Sequence, residues 1–177
     1  MQEHDISLLT VHHSAVPISD ARDAPKQVRG HQTFHQQSRG WPDLAYHYVI
    51  DPRGFIYQGR DETLRGDTAT EYDPAGHFLV CVDGDFNTST PNDAQIDALV
   101  SMLAYGAWAH GVDPSLIAGH RDYASTSCPG DNLYLLVEDG TLRRAVEKRL
   151  GEGTPRLELV CGEKGSRLVE RIESGDA

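Results

Sequence analysis

The segment His77–Val82 is short and almost entirely apolar, and it constrains the fold more than any other stretch of this chain. Strands of this kind are buried on both faces, which is typical of the middle of a sheet covered by helices. Other short apolar runs lie at Ile6–His12 and Leu116–Ala118, and helical patterns separate them. This alternation predicts an α/β fold with a single mixed central β-sheet flanked by helices.

The length of 177 residues favours one domain with a short appendage. We expect the main domain to cover residues 1–150, ending with a helix around Thr141–Leu150. Residues 151–177 are expected to form a linker and a short C-terminal extension. Within that extension, Arg156–Cys161 and Ser166–Ile172 are separated by Gly-Glu-Lys-Gly, which predicts a small β-hairpin.

The charge balance excludes some classes of partner. Sixteen Lys and Arg residues against 27 Asp and Glu residues give a formal net charge of −11. A chain this acidic does not hold nucleic acid or an anionic membrane by charge, so we expect neither partner. No apolar stretch approaches the ~18 residues of a membrane span. We also expect the protein to act as a monomer.

Histidines stand at the ends of two apolar runs. His12 follows Leu-Leu-Thr-Val, His120 follows Leu-Ile-Ala-Gly, and Cys128 lies shortly after His120. Two imidazoles and one thiolate could supply three ligands to Zn²⁺ and leave a fourth position open. Each of these residues alone is more often structural, so residue types by themselves leave both interpretations open.

Five segments in one order carry a family resemblance. They are His12-His13-Ser14, Gly40-Trp41-Pro42-Asp43-Leu44-Ala45-Tyr46-His47-Tyr48-Val49-Ile50, Gly54–Arg60, Asp83-Gly84-Asp85-Phe86-Asn87, and Gly119-His120-Arg121-Asp122 with Cys128-Pro129-Gly130. Together they resemble the zinc-dependent N-acetylmuramoyl-L-alanine amidase superfamily, which includes phage lysozyme-type amidases and the peptidoglycan recognition proteins. The resemblance covers roughly residues 6–150.

The resemblance implies roles for five residues. It assigns one zinc ion to His12, His120 and Cys128, and it makes Tyr46 the tyrosine that assists catalysis near the metal. Thr126 occupies the place of an auxiliary catalytic residue, which is a lysine in phage enzymes and often a threonine in recognition-protein amidases. Non-catalytic recognition proteins commonly lack the cysteine, so Cys128 favours an enzyme. The general base stays open.

Three further residues are candidates for substrate binding. His35 corresponds to a histidine that borders the peptide groove in the family, or it is simply a helix-terminal histidine favoured by the dipole. Trp41 either contacts the ligand or packs against other side chains of the protein. Arg60 either clamps a stem-peptide carboxylate or is a solvated charge in a turn.

The resemblance therefore implies hydrolysis of the amide bond between N-acetylmuramic acid and the L-alanine of a peptidoglycan stem peptide. Two alternatives stay open, namely a non-catalytic peptidoglycan-binding module and an amidase acting on soluble muropeptides. The sequence begins Met-Gln-Glu-His-Asp, without the basic and apolar segments of a secretory signal. We accordingly expect synthesis in the cytoplasm and access to the cell wall after release or export by another factor.

Overall fold

The centre of the fold is a five-stranded mixed sheet. A computed structural model describes all 177 residues. The strands are β1 (Leu8–His13), β2 (Tyr48–Ile50), β3 (Ile56–Gln58), β4 (His77–Val82) and β5 (Ile117–Gly119). They lie in the order β3-β2-β4-β1-β5, in which the β2–β3 pair is antiparallel and the other pairs are parallel. The predicted α/β fold with a mixed central sheet is confirmed.

Strand β1 divides its side chains between the two faces of the sheet. Leu9 and Val11 belong to the larger apolar core. Because successive side chains along a strand point to opposite faces, Thr10 and His12 point to the other face. Cys81, which pairs with His12 in the register of β1 and β4, packs in a smaller core on that face. The strand thus carries His12 away from the main core while holding its backbone rigidly.

Five α-helices surround the sheet. They are α1 (Ala24–Ser38), α2 (Asp93–His110), α3 (Asp131–Glu138), α4 (Thr141–Glu152) and α5 (Gly162–Ser174). Asn92 caps α2 and forms a capping box with Gln95. Gly111 ends α2 with a φ of 66°, a left-handed conformation that glycine adopts without strain.

The predicted C-terminal β-hairpin is wrong. Residues 156–160 form no strand, and the second half of the extension is the helix α5. Its apolar side chains Leu168, Val169 and Ile172 follow helical spacing, with Ile172 buried. An ion pair between Glu163 and Arg167, one helical turn apart, supports the same conformation.

The extension folds back onto the domain. Arg29 of α1 pairs with Glu173 at 2.6 Å, and Arg53 donates to the carbonyl of Ile172 at 2.7 Å. Helix α4 runs to Glu152, so the expected boundary at residue 150 falls inside its last turn. No helix in the protein combines the length and the apolar character needed to cross a membrane.

Candidate metal centre

The fold brings His12, His120 and Cys128 together at the carboxyl end of the parallel strands. His12 lies near the end of β1, and His120 follows directly after the neighbouring strand β5. Their ring centroids are 4.7 Å apart. Cys128 comes from the loop before α3, and its Sγ lies 3.6 Å from Nδ1 of His12. The three potential ligand atoms all lie within 4.8 Å of one another.

Backbone contacts fix the position of Cys128. The N–H of His13 donates to its Sγ at 3.4 Å, and the N–H of Arg121 donates to its carbonyl at 3.0 Å. Thr126 accepts from the N–H of Cys128 at 3.2 Å through its Oγ1. Burial raises the pKa of the Cys128 thiol to about 12, while the His13 N–H and the Arg121 charge oppose that rise. The raised pKa means that the free thiol keeps its proton near neutral pH, and metal binding would release that proton.

The donor set fits a zinc ion. Burial, followed by the nearby His120, holds the pKa of His12 well below its usual range, so the ring is neutral and can offer a lone pair. Nε2 of His12 is buried without a hydrogen-bond partner, an exceptional state for a buried polar atom. Two imidazoles and one cysteine are nitrogen and sulfur donors of the types that zinc prefers, and three such ligands would leave a fourth position open.

A row of six rings extends from the surface through this cluster, and we call it the aromatic row. Its members in spatial order are Trp41, His35, Tyr46, His12, His120 and Tyr72. Centroids of adjacent rings are 4.7 to 5.9 Å apart. The predicted catalytic Tyr46 thus lies beside the cluster, and the predicted substrate-binding residues His35 and Trp41 follow it in the row.

Tyr46 and His35 keep defined protonation states within this row. Burial raises the pKa of Tyr46 well above its usual range, so its phenol keeps the proton. Burial lowers the pKa of His35 to about 4, and Nδ1 of this ring accepts from the N–H of Ala45 at 3.1 Å. Tyr46 is therefore a hydrogen-bond donor, and His35 is a neutral side chain anchored to the backbone.

Arg60 matches neither expectation for it. Its side chain is buried, with 2% exposure, so it is not a solvated charge in a turn. Its guanidinium donates to the carbonyls of Leu44, Arg65 and Asp43 and to the carboxylate of Asp67. With its donors engaged inside the protein, Arg60 braces the loop after β3 and leaves no fork free to clamp a substrate carboxylate.

A separate cavity of about 900 Å³ lies away from the cluster. The hairpin of β2 and β3, Tyr105 of α2 and the C-terminal extension line it. None of the predicted site residues contributes to its walls.

The profile of the family described as N-acetylmuramoyl-L-alanine amidase matches residues 2–131. The chain belongs to this amidase family. The matched segment contains His12, His120 and Cys128 together with the whole sheet.

Curated relatives in the family carry two kinds of name. Peptidoglycan-recognition protein LB of Drosophila melanogaster is 35% identical over 127 residues, which cover 70% of this chain and 54% of the relative. The N-acetylmuramoyl-L-alanine amidase of Sus scrofa is 30% identical over 138 residues, covering 75% of this chain and 23% of the relative. The chain thus spans about half of the first protein and a quarter of the second.

Solved structures of the family share the fold. Drosophila PGRP-LB matches with a TM-score of 0.69 and 30% identity, covering 77% of this chain and 83% of that one. The amidase LysC of Clostridium intestinale matches with a TM-score of 0.65 and 23% identity, covering 84% and 87%. At that identity, the likeness to LysC concerns the fold alone.

Two residues of the site were not predicted. Thr70 Oγ1 lies 2.9 Å from Nε2 of His120, and the Tyr72 ring packs 4.9 Å from the His120 ring. The Tyr72 hydroxyl is buried without a partner. Both residues come from the long polar loop before β4, and the sequence of this loop has no periodicity that identifies individual residues.

Proposed function

We propose that this chain is a zinc-dependent amidase that hydrolyses the amide bond between N-acetylmuramic acid and L-alanine in peptidoglycan. The observation that carries the proposal is the convergence of His12, His120 and Cys128, whose ligand atoms lie within 4.8 Å of one another at the carboxyl end of the sheet. Ligand sites of open α/β sheets occur at this end. Amidase-named relatives support the same activity.

In this proposal, His12, His120 and Cys128 hold the zinc ion. When bound there, zinc supplies Lewis acidity, which activates water near neutral pH and polarises the amide carbonyl. The His13 N–H donates to the Cys128 sulfur and stabilises its negative charge. The neutral ring of His12 is already in the protonation state that a ligand needs.

Tyr46 is the proposed catalytic residue beside the metal ligands. Its ring lies 5.2 Å from that of His12, and its phenol keeps the proton. A hydrogen bond from this hydroxyl to the substrate carbonyl oxygen strengthens as negative charge develops on that oxygen. Trp41 and His35 extend the aromatic row from Tyr46 and offer a wall against which the substrate packs. Thr126 holds the loop of Cys128 and has the hydroxyl to orient water or substrate.

Recognition without cleavage is the second candidate. It is supported by relatives named as recognition proteins and by the structure of a point mutant of Drosophila PGRP-LB in complex with tracheal cytotoxin. The complete set of three zinc-type ligands favours the enzyme, because a module that only binds has no chemical need for a thiol buried beside two imidazoles.

Digestion of purified cell-wall sacculi by the zinc-loaded protein tests the proposal. Mass spectrometry of the soluble products is expected to show stem peptides with a free L-alanine amino group. Cys128→Ala is expected to abolish this release, whereas Cys161→Ala, at an exposed position in the extension, is expected to retain it. Binding to sacculi without release would support the recognition module instead. Parallel incubation with soluble muropeptides identifies which form of substrate is preferred.

A further inference from the structure

The hydroxyl of Thr70 contacts one ring nitrogen of His120. Thr70 Oγ1 lies 2.9 Å from His120 Nε2. A neutral imidazole carries its proton on one nitrogen and a lone pair on the other. With Nε2 engaged by the hydroxyl, Nδ1 is the nitrogen left to face His12 and Cys128.

A second hydroxyl lies within hydrogen-bond distance of Thr70 and can accept its proton. Thr68 Oγ1 lies 2.7 Å from Thr70 Oγ1 and also accepts the N–H of Thr70 at 3.1 Å. The arrangement is satisfied when the Nε2–H of His120 donates to Thr70 and the Thr70 hydroxyl donates to Thr68. In that arrangement Nδ1 of His120 keeps its lone pair, as metal binding requires.

The loop that carries Thr70 is tied to the rest of the site at two points. Glu71 accepts from the N–H of Ser125 at 2.9 Å, which joins the loop to the segment that leads to Cys128. Asp67 pairs with the buried Arg60 at 2.6 Å. These two contacts hold the backbone of the loop, and they therefore fix the position of the Thr70 side chain beside His120.

We propose that Thr70 is a positioning residue for His120, holding the ring in the orientation and tautomer that bind zinc through Nδ1. The inference rests on the zinc site of the proposed function and deepens it. Ligand histidines commonly donate their second N–H to an oxygen, and such partners set the affinity for the metal. His12 has no such partner, since its Nε2 is buried and unpaired. Of the two ligand histidines, only His120 therefore has a hydrogen-bond partner for its second ring nitrogen, and that partner is Thr70.

Zinc affinity, measured by competition with a chromophoric chelator, tests this role without any activity assay. Thr70→Val keeps the shape of the side chain and removes the hydroxyl, so we expect zinc affinity to fall about 10- to 100-fold. Thr70→Ser restores the hydroxyl and is expected to bind within about threefold of the unchanged protein. Thr33→Val is the control, because the Thr33 hydroxyl bonds only the carbonyl of Arg29 on the exposed side of α1. Thr33→Val is expected to leave the zinc affinity unchanged.

Thermal unfolding of the zinc-free proteins checks that each variant folds, and Thr70→Ala serves as a second hydroxyl-free variant should Thr70→Val not fold. The inference is overturned if the hydroxyl-free variants bind zinc as tightly as the unchanged protein, or if Thr70→Ser is as weak as Thr70→Val. A failure of the unchanged protein to bind zinc is a different result, since it overturns the proposed function as well.

Discussion

Histidines occupy both ends of the parallel strands, and the two groups differ in what their ring nitrogens contact. At the amino end, His47 accepts from the N–H of Leu79 at 3.0 Å and bonds the carbonyl of Leu64 at 3.1 Å. His4 uses both nitrogens in the same way, with Gly76 and Glu62. At the carboxyl end, Nδ1 of His12 faces a sulfur and its Nε2 has no partner.

This difference separates structural histidines from candidate ligands better than burial does. His12 and His47 are both buried, with 3% and 0% exposure. His12 and His120 each keep at least one ring nitrogen free of backbone partners, beside each other and a thiol, and so have a lone pair to give to a metal. The amino-end histidines therefore stabilise the fold, and the carboxyl-end histidines belong to the proposed metal site.

The largest expected effect is at the carboxyl end. Cys128→Ala removes one of three ligands, so we expect zinc stoichiometry to fall towards zero and amidase activity to be lost. Cys81→Ala is the matched control, since Cys81 is a second buried thiol on the same face but packs in an apolar core. Elemental analysis measures the zinc content of each variant, and sacculus digestion measures its amidase activity. Equal zinc contents in the two variants would contradict the assignment of Cys128 as a zinc ligand and of Cys81 as a core residue.

Tyr46→Phe separates catalysis from metal binding at the same end. The loss of one hydrogen bond to the developing oxyanion is expected to lower kcat about 10²- to 10³-fold. Zinc content is expected to stay unchanged, because the phenol is not a ligand. Tyr57→Phe is the control, since the Tyr57 hydroxyl bonds Asp51 away from the cluster. Steady-state kinetics on a muropeptide that show equal rates for Tyr46→Phe and the unchanged protein would exclude this role.

His47→Ala tests the amino end. The change leaves the N–H of Leu79 and the carbonyl of Leu64 without their partner, and buried unpaired groups are costly. We expect the free energy of unfolding to fall by about 2–4 kcal/mol. Folded protein is expected to bind zinc as before. Denaturant titration and zinc analysis measure the two quantities, and a loss of zinc without a loss of stability would reverse the assignment of the two ends.

The smallest expected effect is a dependence of stability on pH. Burial lowers the pKa of His47 to about 4 from its ordinary value of 6.5. Between these two values the unfolded chain binds a proton that the folded chain does not, so stability falls as pH falls from 6.5 towards 4. Above that window His47 contributes no pH dependence.

His47→Gln removes this titration while keeping a donor and an acceptor. We expect thermal midpoints of the zinc-free variant to decline less steeply over that pH range than those of the unchanged protein. Identical slopes would show that His47 does not titrate between the folded and unfolded states.

Patterns in the sequence predict the parts of the fold that depend on burial. The strand His77–Val82 and the two strand-end histidines follow from apolar runs alone, and the family motifs add Cys128 and Tyr46. The extension was mispredicted because the short apolar run around Leu168 suits a strand or a helix equally well. In the structure this run is helical, and the helix buries Ile172 against the domain.

Contacts that depend on loop geometry could not be predicted. Whether Arg60 meets solvent, a substrate or carbonyl oxygens depends on how the loop after it folds back, and no periodicity encodes that path. The same holds for Thr70, which reaches His120 from 50 residues away in the sequence. Side-chain roles in such loops become visible only when the three-dimensional path of the backbone is known.

X-ray absorption at the zinc edge of the purified, zinc-loaded protein tests whether two imidazoles and the Cys128 thiolate bind one zinc ion. We expect one zinc ion per chain, with a single sulfur at about 2.3 Å and two imidazole nitrogens at about 2.0–2.1 Å. A spectrum without sulfur scattering, or a protein that takes up no zinc, would contradict it.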